Sequence, residues 1–108
     1  MVAKALFDEL RSLGFGSISG SYANVGSATT APCRAFAISN GTDGDMIFSD
    51  DGGTTDKFFV GAGAYKVWDV EANASQADDK FVLEVGTQFA VKQVTAPTSG
   101  SVYVEVLR

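Results

Sequence analysis

Between Cys33 and Leu107 the chain is cut into short apolar runs by clusters of glycine, aspartate, asparagine and serine, and this rhythm constrains the fold more than anything else. The runs are "CRAFAIS" (33–39), "MIFS" (46–49), "KFFV" (57–60), "AYKVWDVEA" (64–72), "KFVLEV" (80–85), "QFAVKQV" (88–94) and "SVYVEVL" (101–107). Their separators are "NGTDGD", "DDGGTTD", "GAG", "NASQADD", Gly86-Thr87 and "TAPTSG", all rich in turn formers. Each run is too short for a self-sustaining helix and matches the usual length of a strand. A further strand is expected within 14–32, where Ile18 and Tyr22 have strand character and Pro32 favours extended backbone before it. The expected fold is mainly β: an antiparallel β-sandwich, jelly-roll or Ig-like, of roughly seven to eight strands.

Alternation says which residues face the core. Val102, Val104 and Val106 share one side of the last strand, with Tyr103 and Glu105 opposite. Phe81, Leu83 and Val85 likewise share a face. "KVWDV" breaks the pattern around Trp68 and Asp69, which reads as a bulge. Trp68 is expected in the core, near Phe58 or Phe89. "FFVGAGAYKVWDV" echoes "FVLEVGTQFAVKQV", as two similar corners of one sandwich would.

The N-terminal stretch reads differently. Leu6, Phe7, Leu10 and Leu13 fall at i, i+1, i+4 and i+7, one face of a short helix, with Asp8, Glu9 and Arg11 on the other side and Gly14 at its C-cap. Residues 1–14 are therefore expected to form a helix or arm, and 15–108 the β domain. Such a helix docks either on its own sheet or on a neighbouring subunit. The second reading makes Leu6, Phe7, Leu10 and Leu13 candidate partner-binding residues.

"DMIFSDDGGTTDKFFV" (45–60) places Asp45, Asp50, Asp51 and Asp56 around two glycines. With Asp43 they have the oxygen chemistry of a calcium site, but the EF-hand spacing is absent. A hairpin turn between two apolar strands needs less, and is the expectation. No metal site or cofactor is expected.

Catalytic chemistry finds little footing. There is no histidine, and the single cysteine, Cys33, sits among small apolar residues where a buried thiol belongs. "GAGA" (61–64) is followed by a strand and so lacks the helix a phosphate loop requires. The expectation is a protein that is not an enzyme. A net charge of −5, with basic residues scattered, argues against nucleic acid, which needs a clustered basic surface. No run approaches a membrane span, and "MVAKALFDELRSLGFG" has no apolar run of signal-peptide length. "NGT" (40–42) and "NAS" (73–75) then count as chance matches to the glycosylation pattern.

The phrases "AFAISNGTDGDMIFSDDGGTTDKFFVGAGAYKVWDV", "FVLEVGTQFAVKQ" and "GSVYVEVL", taken in order, resemble small virion structural proteins of tailed bacteriophages. The resemblance spans Ala35–Leu107. It implies a compact β domain present in many copies in a virus particle, assembled in the host cytoplasm. On that basis the expected function is capsid decoration or cement, with the major capsid protein or other virion proteins as partners and self-association into a homo-oligomer. The alternatives are a head–tail connector or tail component, and a small carbohydrate- or calcium-binding β module.

Overall fold

The computed structural model describes residues 7–69 and 84–108. Eight strands form among them: β1 (Arg11–Gly14), β2 (Ala23–Asn24), β3 (Ala35–Asn40), β4 (Met46–Ser49), β5 (Phe58–Val60), β6 (Tyr65–Asp69), β7 (Ala90–Gln93) and β8 (Ser101–Leu107). They make two four-stranded antiparallel sheets, ordered β1-β8-β3-β6 and β2-β7-β4-β5. We call these sheets A and B. The sandwich expected from the sequence is present, and β4 and β8 have the bounds read from the apolar runs. Most of "KFVLEV", with Phe81 and Leu83, lies outside the described residues.

Of the connections that run entirely through described residues, β4–β5 is a hairpin within one sheet and the others cross between sheets. "NGTDGD" is such a crossing, and buried Asn40 shapes it. The Asn40 amide donates to the carbonyls of Gly44 and Val60, at 2.8 and 2.9 Å. Its oxygen accepts from the Thr42 backbone N–H and hydroxyl, at 3.0 and 2.6 Å. A buried amide must have its hydrogen bonds met, and this one does.

The inner faces carry the core. Val102, Val104 and Val106 are fully buried, as their alternation requires. Phe36 lies at the centre, stacked on Trp68 at 4.9 Å, edge-on to Phe58 at 5.6 Å and tilted against Phe89 at 5.3 Å. Trp68 also meets Phe58, at 4.7 Å. Each such aromatic pair adds about 0.5–1.5 kcal/mol beyond the area it buries. Trp68 has Phe58 beside it, as expected, but is only half-buried and packs against the core cluster from its edge.

Two expectations are corrected. No helix forms over the described part of the N-terminal stretch: Arg11–Gly14 is a strand, and a single 3-10 turn follows at Phe15–Ser17. Pairing with β8 along Arg11↔Val104 to Gly14↔Ser101 replaces the helical bonds. A short helix has an unfavourable nucleus to overcome, and an open sheet edge offers the same backbone groups partners at once. Nor is there a bulge at Trp68 and Asp69, because β6 pairs with β3 without interruption from Ser39↔Tyr65 to Ala35↔Asp69. Trp68 points inward and Val67 outward, so the alternation is regular. An apolar residue facing solvent made it look broken.

Candidate functional site: the outer face of sheet A

Register fixes which side chains share the outer face. Ser12, Tyr103, Ser39 and Tyr65 lie in one row across the four strands. Glu105, Ala37 and Val67 form the next, and Leu107, Ala35 and Asp69 the one after. Phe7 bridges to Leu107 and extends the last row. Tyr65 is 71% exposed, Val67 64% and Phe7 75%. Water solvates these side chains at a free-energy cost that burial under a partner would remove.

The face is grooved. One depression of about 110 Å³ is lined by Phe7, Ala35, Ala37, Val67, Glu105 and Leu107, over Phe36. A second, of about 270 Å³, is lined by Phe7, Asp8, Leu10, Glu105 and Val106. Phe7 and Glu105 line both. Among the described residues Glu105 makes no ion pair.

The four N-terminal leucine and phenylalanine positions do not share one surface. Leu6 lies outside the described residues. Phe7 and the exposed Leu10 border the two depressions, whereas Leu13 turns inward onto the core. What holds the segment is Arg11, which the helical reading placed toward solvent and which is 2% exposed. Its guanidinium donates to the carbonyls of Ser27 at 2.7 Å, Glu9 at 3.0 Å and Ala28 at 3.3 Å, and to the Asp8 carboxylate at 2.9 Å. That hydrogen bond from Arg11 holds the Asp8 carboxyl below its usual pKa. Arg11 thus clips residues 8–11 to the loop at 27–28, and in doing so sets Phe7 and Leu10 over sheet A.

The acidic turns have other work. Asp51 accepts from the Ser49 hydroxyl at 2.6 Å and from the backbone N–H groups of Thr54 and Thr55 at 3.0 and 3.1 Å. These bonds, that from Ser49 foremost, push its pKa far below the carboxylate range. Gly52 and Gly53 take φ of 74° and 99°, the left-handed region open to glycine. The hairpin expected at 45–60 is therefore formed, between β4 and β5. Asp50 pairs with Lys57 at 2.8 Å, Asp45 accepts from the Ala62 N–H at 3.0 Å, and Asp43 accepts from the Thr98 hydroxyl and backbone N–H. Asp50 and Asp51 share Lys57, while Asp45 and Asp43 face other partners. Among the described residues no group of three or more potential metal ligands converges. Cys33 is buried, and burial raises its thiol pKa.

No family model matches the chain, and neither a curated protein nor a solved structure is significantly similar to it.

The sequence held one signal for the site that its first reading missed. "KVWDV" failed to alternate because Val67 and Trp68 are both apolar while facing opposite sides. The core needs Trp68; nothing within the described chain needs Val67.

Proposed function

We propose that this protein is a non-enzymatic structural component of a tailed-bacteriophage virion, a capsid decoration protein that binds between major capsid subunits through the outer face of sheet A. The observation that carries the docking reading is that the exposed Tyr65 and Val67 share the outer face of sheet A, with the exposed Phe7 and Leu10 bordering its depressions. The ordered phrases from Ala35 to Leu107 supply the virion setting. A decoration protein acts by adding interface: many symmetry-related contacts, each modest, hold neighbouring subunits together against outward pressure. A rigid two-sheet body suits this role, because docking it orders few additional side chains.

The test is made on purified particles. Mass spectrometry is expected to find the chain in many copies per virion, and electron microscopy to place it on the head surface. Particles lacking it should lose heat resistance and regain it when the purified protein is added back. Density at the neck or tail would move the protein to the connector or tail reading. Its absence from particles would overturn the virion reading.

A further inference from the structure

We infer that the partner segment received by the outer face of sheet A presents two aliphatic side chains flanking one lysine or arginine, with the cation seated on Glu105 between the two depressions beside Phe7. The inference rests on the docking face proposed above and specifies what that face recognises. Three observations lead to it. The two depressions share Phe7 and Glu105 in their linings, and each also has apolar walls, Ala35, Ala37, Val67 and Leu107 in one and Leu10 and Val106 in the other. The charged positions among the rows of this face, Glu105 and Asp69, are both acidic, and no lysine or arginine shares those rows. Asp8, at the rim, is already engaged by Arg11, whereas Glu105 has no ion pair among the described residues.

Charge complementarity then selects the occupant. A second copy laid face to face would bring the same rows, which carry no lysine or arginine, so Glu105 would lose water without gaining a cation. A cation at the same place gains a charge-assisted hydrogen bond in partly desolvated surroundings. An extended segment places residues i, i+2 and i+4 on one side, so apolar–basic–apolar at alternate positions matches depression, carboxylate, depression.

The experiment is an amide NMR titration of the intact protein with two acetylated, amidated peptides. One reads valine, threonine, lysine, threonine, valine; its twin has glutamate in the centre. The lysine peptide is expected to shift the amides of Val67, Glu105 and Leu107. The glutamate twin should bind about two- to fivefold more weakly, and Glu105→Lys should reverse the order. Equal binding of the twins, binding elsewhere or no binding overturns the inference. So do shifts of those same amides on simple concentration of the free protein, which would make a second copy the occupant. These failures leave the virion reading standing, since that reading falls only if the chain is absent from particles.

Discussion

The two sheets turn very different outer faces to solvent. On sheet B the exposed side chains are tied together. The Tyr22 hydroxyl donates to Asp56 at 2.5 Å, Lys92 pairs with Asp56 at 3.0 Å and sits 4.9 Å from the centre of the Tyr22 ring, and Lys57 pairs with Asp50. Phe59, half exposed, lies beside Ile47 and Lys57 within this polar setting. On sheet A the large exposed side chains include Phe7, Tyr65 and Val67, and Glu105, which lines both depressions, has no ion pair among the described residues. One face spends its side chains on the protein itself; the other offers them outward. The difference separates what the fold requires from what a partner would use, and that separation can be attacked experimentally.

The largest effect should come from the interior that both faces share. Phe36→Ala removes the ring that joins Trp68, Phe58 and Phe89 and is expected to cost about 3–5 kcal/mol. Urea unfolding measures it; a loss under about 1 kcal/mol would mean the sheets do not meet through this cluster. Next comes Gly53→Ala, on the side of sheet B. Gly53 has φ of 99°, and an added Cβ would lie 2.7 Å from the Tyr22 Cβ. The expected cost is about 1–3 kcal/mol, with displacement of the Tyr22 ring visible in its aromatic NMR signals.

Acid should weaken the protein through its hydrogen-bonded carboxylates. Asp8, Asp43, Asp51 and Asp56 all have pKa values lowered by the hydrogen bonds they accept. Their contribution is complete above the unfolded carboxylate value of about 3.9 and is lost as pH falls through the lower folded values. The melting temperature should therefore hold between pH 7 and 5 and drop below about pH 4. At the alkaline end the sign reverses. Tyr22, chiefly through burial, and Lys57, through Asp50, have raised values. What they contribute fades only as pH climbs above about 10. A melting temperature indifferent to acid would show that these carboxylate hydrogen bonds contribute nothing.

The smallest effect on stability should come from the apolar face, and it would carry the largest functional consequence. Val67→Ser and Leu10→Ser are each expected to change stability by no more than about 0.5 kcal/mol. Both should abolish reattachment to particles in a sedimentation assay. A large loss of stability with either change would return that face to the fold.

Much of this was legible in the chain. Short runs between Gly, Asp and Asn clusters require strands, because too few residues lie between breakers to sustain a helix. The valines of "SVYVEVL" set their own burial, because a strand's period of two admits no other arrangement once one side meets the core. The turn at Asp51–Gly53 could be read for the same local reason: its aspartate bonds and glycine dihedrals are made within a few residues.

The tertiary structure decided what depended on neighbours remote in sequence. Residues 7–14 have a spacing that suits a helix, yet β8, about ninety residues away, offered an unpaired edge, and the buried Arg11 found carbonyls at 27 and 28. Val67 is as apolar as Trp68, and no local rule says which of the two faces the core. Pairing with β3 settled it by register, since opposed residues must share a face and Phe36 was already inside. The sequence by itself therefore determined the bounds of β4 and β8, and that the described apolar runs after Cys33 become strands. Their partners, which lie far along the chain, determined which apolar residues the protein keeps for its core and which it leaves on its surface.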